Sequence, residues 1–327
     1  MRYLITASLI LWASSCAAFE IEARNEFNTD NSTTTLNIIS TTDTALFAPL
    51  IHSFQQANPR ISVIYTAASS SQINVAIVEE SAQFDIAISS AMDLQIKLAN
   101  DGFASRYASD ATALAPDWGQ WRDSIFAFTQ EPAEIVLNRA AFSNQEIPQT
   151  RAAMIELLRN EPNKFNGRIG TYDVRSSSLG YLFATQDSRT SETYWRLTEL
   201  MGQLNARLYC CFSDMIEDVS TGKIAIAYNV LGSYAAARDD LADKIIIIEP
   251  QDYATVMLRT ALILRGTAEQ QGAELFMDHL LSQAWTQTPE SQQQNLRPIL
   301  LGPGLLVFLD RLKRQQFLKE WESAILQ

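Results

Sequence analysis

The chain has 327 residues, of which 47% are hydrophobic and 19% are charged, and its formal net charge at pH 7 is -12. This length exceeds the size at which a single hydrophobic core keeps growing, so we expect two domains. The acidic charge and the lack of any Lys/Arg run in the sequence argue against nucleic acid or an anionic membrane as a partner, because both require cationic side chains to neutralise phosphates.

The N-terminal stretch MRYLITASLILWASSCAAFE contains one arginine, an apolar run over residues 3–12 and then small residues. This layout is typical of a secretory signal peptide, and we expect cleavage after Ala18 and export to the periplasm (signal peptide 1–18). Lipidation at Cys16 is the alternative. Ala13 argues against it, since a larger aliphatic residue is usual at that position.

Removal of the signal leaves two cysteines, Cys210 and Cys211, which are adjacent. An oxidising compartment favours a disulfide between them, but the ring is strained because adjacent α-carbons lie closer than most disulfides prefer. A vicinal disulfide and two free residues in a strand therefore both stay open. We expect no metal and no cofactor, because two thiolates without a nearby histidine do not complete a tetrahedral site.

Short β-rich runs alternate with helix-period segments along the chain. The runs LNIIS, ISVIYT and FDIAIS are each followed by a segment whose apolar residues recur with helical spacing. This rhythm predicts an α/β protein with a parallel, doubly wound sheet.

Small hydroxyl residues follow each of these three strands. In open α/β sheets the carboxyl ends of the strands and the helix N-termini beside them line the ligand crevice. Helix capping accounts for one such loop, but three in succession favour a rim that faces a ligand. The predicted rim consists of Ser40, Thr41, Thr42, Ser69, Ser70, Ser89 and Ser90.

The stretch TYDVRSSSLGYL, residues 171–182, leads from a predicted strand into a predicted helix. Arg175 can bind an anion with two parallel hydrogen bonds, and the serines add hydroxyl and backbone N–H donors at a helix start. A serine nucleophile would need a positioned base, and neither histidine of the chain follows a strand end. We therefore predict an anion site built from Tyr172, Asp173, Arg175, Ser176, Ser177 and Ser178.

Three further residues lie near other predicted strand ends. Tyr228 and Asn229 offer a ring face and an amide group, and Asp214 can accept from a ligand hydroxyl group or cap a helix. Two extended segments, broken at Glu131-Pro132 and at Pro250, are predicted to cross between the domains.

The order and spacing of these segments resemble the type II periplasmic solute-binding proteins, in the branch with ferric-iron, hexose-phosphate and phosphoglycerate-regulatory binding proteins. The resemblance is carried by STTDTALFAPLIHSFQQANPRISVIYTAASSS, FDIAISSAMDLQIKLANDGFA, FAFTQEPAEIVLNR, SDMIEDVSTGKIAIAYNVLGSYA and AELFMDHLLS. It implies two Rossmann-like lobes, joined by two hinge strands, that close on a ligand. Lobe 1 would comprise 19–131 and 253–327, including the C-terminal helix, and lobe 2 would comprise 132–252.

The same resemblance implies a monomeric receptor, not an enzyme, that presents its solute to an ABC permease or a sensor kinase. Ferric-binding members use adjacent tyrosines near the position of AIAYNVLGSYA, but here Asn229 follows Tyr228 and the next tyrosine is Tyr234. One tyrosine and an amide are a poor ligand set for a hard ferric ion. We therefore expect a small anionic, phosphorylated organic solute; ferric iron is the alternative, followed by a secreted hydrolase.

Overall fold

The computed structural model describes residues 19–236, 238–285 and 295–327. The predicted signal peptide and the Cys16 lipidation site lie outside these ranges. Within them, none of the helices combines the length and the apolar character needed to cross a membrane.

The strands form where β-branched and aromatic residues are concentrated, as strand propensity predicts. They are β1 (Ala23–Phe27), β2 (Thr34–Ser40), β3 (Ile61–Ala67), β4 (Ile86–Ser89), β5 (Gln120–Trp121), β6 (Ile125–Asn138), β7 (Ile169–Tyr172), β8 (Arg207–Tyr209), β9 (Ile226–Leu231), β10 (Ile245–Ile248), β11 (Ala254–Ile263) and β12 (Leu296–Pro298).

The helices follow the strands in the alternation that the sequence predicts. They are α1 (Thr44–Ala57), α2 (Ser70–Asn74), α3 (Met92–Asn100), α4 (Arg151–Asn160), α5 (Pro162–Phe165), α6 (Ser178–Thr190), α7 (Thr193–Gln203), α8 (Phe212–Ser220), α9 (Gly232–Ala236), α10 (Gln270–Trp285) and α11 (Arg311–Ile325). A π-helical turn, Val75–Glu79, extends α2, and a 3-10 segment, Pro303–Leu309, precedes α11.

The strands are arranged in the order β1-β3-β2-β4-β11-β6-β9-β7-β8. In the first lobe β2 is parallel to β3 and β4, and in the second lobe β7 is parallel to β8 and β9. The first half of β6 pairs with β11 and its second half pairs with β9, so β6 belongs to both lobes. The predicted α/β class is confirmed, and β6 and β11 are the strands at the hinge.

The predicted break at Glu131-Pro132 is wrong, because these two residues lie inside β6, which is a single strand of 14 residues. Pro132 lies opposite Val256 of β11, and the next residue, Ala133, lies opposite Leu231 of β9. Proline lacks a backbone donor, and here that missing donor falls where β6 changes partner. The second break is real, since β10 and β11 are separate strands on either side of Pro250.

The C-terminal helix does not pack where the sequence placed it. Phe317, Trp321 and Ile325 of α11 repeat at intervals of four and are buried in the core of the second lobe, together with Leu197 of α7. A side chain at Gly202 of α7 would overlap the backbone of α11, so this glycine permits the close approach. The partner face lies far away in sequence, which is why periodicity alone could not identify it.

Candidate functional site

The loops at the carboxyl ends of the strands in the two lobes meet in a cavity of about 230 Å³. We call it the interlobe cavity. The first lobe contributes the start of α2 and the first turn of α3, the second lobe contributes the loop before α6, and the segment around α11 closes one side. The lining residues are Ser71, Asp93, Leu94, Val174, Arg175, Ser176, Ser177, Ser178, Tyr181, Leu309 and Arg314.

The predicted rim of the first lobe is held together by its own hydroxyl groups. Thr41 Oγ1 accepts a hydrogen bond from the backbone N–H of Ser90 (3.2 Å), and Ser89 Oγ donates to Ser70 Oγ (3.3 Å). These contacts join the three loops that follow β2, β3 and β4. The structure therefore brings the predicted loops together, and Ser71, the neighbour of Ser70, reaches the interlobe cavity.

Three other rim residues have local roles. Ser40 Oγ accepts from the backbone N–H of Thr42 (3.0 Å), and Ser69 caps α2 by accepting from the backbone N–H of Gln72 (3.3 Å). Thr42 itself accepts from Arg259 and lines a second cavity near the hinge. Capping and turn chemistry thus account for much of the hydroxyl pattern that the sequence displays.

The start of α6 faces the first lobe as predicted from TYDVRSSSLGYL. Ser177 is the N-cap, and its Oγ accepts from the backbone N–H of Gly180 at 3.1 Å. A β-carbon at Gly180 would overlap the side chain of Tyr172, so glycine lets α6 lie close against β7. Ser176, Ser177 and Ser178 all line the interlobe cavity, where the helix N-terminus favours negative charge.

Arg175 lies at the same edge of the cavity and is already paired. Its Nε and Nη2 atoms donate to the two carboxylate oxygens of Asp173 at 2.8 and 2.7 Å, and its Nη1 atom is 3.7 Å from Glu322. The Arg175 side chain is 40% exposed to solvent. The hydrogen bond from Arg175 also holds the pKa of Asp173 below its usual value. Asp173 therefore orients the guanidinium and partly neutralises it.

Asp93 is a site residue that the sequence reasoning missed. It is buried in the first turn of α3 across the interlobe cavity from the serines, and burial raises its pKa to about 6. The positive charge of Arg314, whose guanidinium lies 4.5 Å from the ring of Tyr181, opposes this rise in the pKa of Asp93. The only signal in the sequence was an acidic residue three positions after a hydroxyl-rich strand end.

A second cavity, of about 480 Å³, lies beside the hinge strands and reaches both lobes. Its polar corner is Arg259 of β11, which donates to Glu131 of β6 (2.9 and 3.1 Å), to Tyr234 of α9 (3.1 Å) and to Thr42. Ser233 donates to the same carboxylate at 3.2 Å. Burial alone lowers the pKa of Arg259, but the charge of Glu131 outweighs it and the pKa stays raised. The contacts of this buried pair with Ser233 and Tyr234 link the first lobe to the second at the hinge.

Tyr228 and Asn229 lie inside the second lobe, and neither lines the interlobe cavity. The Tyr228 hydroxyl accepts from Nε of the buried Arg151 at 2.8 Å. Asn229 has a φ of 60°, lies at a bulge in the pairing of β6 and β9, and donates to Asp187 at 3.0 Å. Both side chains thus serve contacts within the lobe in this structure.

Asp214 and the cysteines lie near the start of α8. Asp214 is exposed in the first turn, and the N-cap of the helix is Cys211. The Sγ atoms of Cys210 and Cys211 are 2.7 Å apart and the thiols are free, so the vicinal disulfide stays a prediction. Burial and the neighbouring Cys210 raise the pKa of the Cys211 thiol to about 12.

Metal ligation by the usual side chains finds no support in the part of the chain that the structure describes. There, no group of three or more His, Cys, Asp or Glu residues is placed to hold a metal ion. The two histidines pack edge-on against aromatic rings, His52 against Phe27 and His279 against Phe54.

Many solved structures are similar to this chain, and three of them are described here. The substrate-binding protein of an ABC transporter from Agrobacterium tumefaciens is 32% identical with a TM-score of 0.84, and the match covers 93% of this chain and 98% of that one. The periplasmic binding protein AfuA from Actinobacillus pleuropneumoniae, with fructose-6-phosphate bound, is 16% identical with a TM-score of 0.68, covering 90% and 99%. Iron-bound HitA from Pseudomonas aeruginosa is 15% identical with a TM-score of 0.66, covering 89% and 99%.

The chain also matches a sequence family over residues 36–292, and that family is described as bacterial extracellular solute-binding protein. No curated protein sequence matches it significantly. The two-lobed fold, the hinge strands and the cavity between the lobes agree with the family match, and the predicted family is confirmed. The chain belongs to the bacterial extracellular solute-binding proteins and is of the type that serves ABC transporters.

Proposed function

We propose that the protein is a periplasmic receptor that encloses a small organic anion, such as a phosphate ester, in the interlobe cavity. The observation that carries the proposal is the convergence of Arg175, Arg314 and the serines at the start of α6 on one cavity of about 230 Å³. Helix N-termini and guanidinium groups both bind phosphate in proteins. The size of the cavity suits a small ligand.

The residues of the first lobe fit the uncharged part of such a ligand. Ser71 can donate or accept, and the Asp93 carboxylate can accept from hydroxyl groups, as a sugar or polyol body would require. A phosphoryl group held by the second lobe and hydroxyl groups held by the first would give each lobe its own share of the ligand. Closure of the two lobes would then require both the phosphoryl group and the hydroxyl groups of the ligand.

Arg175 is expected to exchange or share partners when the anion binds. Asp173 holds it through Nε and Nη2, which leaves Nη1 with the distant Glu322 contact at 3.7 Å. The Nη1 donors and the hydroxyl groups of Ser177 and Ser178 are therefore the groups available for the anion. The backbone N–H groups of Ser176 and Ser177 already donate to the carbonyl oxygen of Asp173, at 3.1 and 2.8 Å. A pair that is orientated before binding loses less conformational entropy on binding.

The role of the receptor is to present its solute, without turnover, to an ABC permease or to a sensor kinase. The similarity to an ABC transporter protein supports the first of these partners. We propose that the receptor acts as an exported monomer without a cofactor, since a closing receptor of this family requires only its ligand and its membrane partner.

Calorimetric titration of the purified protein with phosphate esters, phosphonates, carboxylates and ferric ion tests the proposal. We expect an anion to bind with micromolar affinity and Arg175→Ala to weaken it by at least about tenfold, because a hydrogen bond to a charged group contributes roughly 1.5–3 kcal/mol. Arg24→Ala is the matched control, since it removes an equal charge from an exposed position on β1. Ferric binding with a tyrosinate absorption band, and no response to anions, would show that the alternative is correct.

A further inference from the structure

A third cavity, of about 510 Å³, lies at the hinge and shares no lining residue with the interlobe cavity. We call it the hinge cavity. The C-terminal end of α6 forms one wall, Thr255 at the start of β11 forms part of another, and the segment after β12 completes it. Its lining residues are Gln186, Arg189, Thr190, Thr255, Arg297, Pro298, Ile299, Leu300, Leu301, Gly302, Gly304 and Leu305.

The hinge cavity is distant from the start of α6, where the interlobe cavity lies. The helix α6 has 13 residues, and at a rise of 1.5 Å per residue it is about 20 Å long. Its first turn faces the interlobe cavity and its last turn faces the hinge cavity. The two cavities thus occupy opposite ends of one helix.

Both charged side chains that line the hinge cavity are arginines. The buried Asp187 accepts a hydrogen bond from the lining residue Thr255, and the charge of Arg297 acts on it from a longer distance. Among the lining residues there is no acidic side chain, and no described carboxylate lies within ion-pair distance of Arg189 or Arg297. By contrast Arg175 and Arg238, which are also exposed, are both paired with carboxylates. Two arginines that share a concave site and form no direct ion pair favour an anion between them.

Aromatic rings hold both guanidinium groups in place. Arg297 lies 4.6 Å from the ring centre of Tyr253, and Arg189 lies 5.9 Å from that of Phe308. Contact with a ring face occupies the flat side of a guanidinium and leaves its N–H edge free for an anion. The two arginines are therefore positioned without using the donors that a carboxylate or phosphate would need.

The rest of the cavity wall is mainly apolar. One side is lined by Pro298 at the end of β12 and by Ile299, Leu300, Leu301 and Leu305 after it, and the Leu300 side chain is 64% exposed. An apolar wall of this kind stabilises a ligand with a hydrocarbon part, at about 25 cal/mol for each Å² of apolar surface removed from water. The volume is within the ordinary range of small-molecule sites, which is about 300–1,000 Å³.

We propose that the hinge cavity is a second binding site, for an amphiphilic organic anion whose acidic group lies between Arg189 and Arg297 and whose apolar part lies against the leucines. The two arginines belong to different sides of the hinge, since α6 packs in the second lobe and β12 pairs with β11. An anion that bridges them stabilises this relative position of the lobes. By thermodynamic linkage, this anion changes the affinity of the interlobe cavity for its ligand. The interlobe ligand changes the affinity of the hinge cavity for the anion by the same factor.

Titration with phenyl phosphate and with inorganic phosphate tests this second site, and the Arg175→Ala variant is used so that binding in the interlobe cavity is at least about tenfold weaker. We expect saturable binding of phenyl phosphate, tighter than that of inorganic phosphate because of the apolar wall. Arg189→Ala or Arg297→Ala should weaken it at least about tenfold. Arg24→Ala, made in the same background, should leave it unchanged.

Arg297→Lys gives a second measure that does not depend on removing the charge. Lysine keeps the charge but loses the planar fork, so we expect an intermediate loss of affinity. The proposal is overturned by any one of three results: no saturation up to ~10 mM phenyl phosphate, equal affinity for both probes, or equal effects of the Arg24 and Arg189 substitutions. Because neither arginine belongs to the interlobe cavity, these results leave the proposed function of that cavity untouched.

Discussion

Glu131→Gln should destabilise the protein strongly by leaving the charge of Arg259 buried without its partner. In the structure the Arg259 and Glu131 side chains are only 5% and 8% exposed, and the carboxylate takes two hydrogen bonds from the guanidinium at 2.9 and 3.1 Å. Removal of one partner from a buried ion pair costs about 3–5 kcal/mol. The hydroxyl oxygens of Thr42 and Tyr234 still accept from Arg259, so we expect a loss near the lower end, ~3 kcal/mol.

The assay is urea unfolding at pH 7, followed by tryptophan fluorescence, with the midpoint as the measured quantity. The midpoint is appropriate because unfolding of a two-lobed chain need not be two-state. Asp240→Asn is the control, since it breaks a fully exposed pair with Arg238 and should leave the midpoint almost unchanged. The double variant Glu131→Gln/Arg259→Met removes both charges and should recover much of the loss. Equal midpoints for Glu131→Gln and Asp240→Asn would refute the reasoning.

Three further outcomes are expected. Gly180→Ala should lower the urea midpoint by an amount equivalent to about 1–3 kcal/mol, because a β-carbon there overlaps Tyr172 and forces α6 away from β7; an unchanged midpoint would mean that the helix shifts freely. Burial, and then the charge of Glu249, raises the pKa of Glu134 to about 7, so the folded state binds its proton more tightly than the unfolded state. Stability should fall as the pH rises from about 4.5 to 7, and Glu134→Gln should reduce this slope in urea midpoints measured across that range. For the interlobe cavity, the affinity for sulfate, an anion that keeps its charge over this range, should rise as the pH falls through about 6 and Asp93 becomes neutral. Asp93→Asn should remove that dependence in calorimetric titrations, whereas a dependence that persists would place the titrating group elsewhere.

Much of the fold follows from local pattern. The alternation of apolar runs with helix-period segments predicted β2, β3 and β4, the helices after them and the strand that leads into α6. The hydroxyl loops and the TYDVRSSSLGYL stretch predicted which chain segments meet between the lobes, because in an α/β sheet the carboxyl ends of parallel strands lie at one edge. These features depend on residues that are neighbours in sequence, and periodicity is a property of neighbours.

The partners of individual side chains could not be predicted in this way. Arg259 and Glu131 are 128 residues apart, and nothing in either neighbourhood identifies the other. Arg175 was predicted to face an anion, but its pairing with Asp173 depends on a turn that no propensity specifies. Tyr228 lies in β9, in the region where the sequence predicted a strand. Its hydroxyl group contacts Arg151 inside the lobe and does not face the interlobe cavity.

The sequence by itself determined the class of fold, the family and two of the segments that line the interlobe cavity, the one after β3 and the one after β7, since these depend on the order and periodicity of local elements. Only the tertiary structure decided that Asp93 and Arg314 join that cavity, that α11 packs on the second lobe and that Arg189 and Arg297 lie at one hinge cavity. The physical reason is that burial, charge pairing and cavity shape are set by contacts between distant segments. Those contacts exist only once the two sheets have packed around the strands that they share.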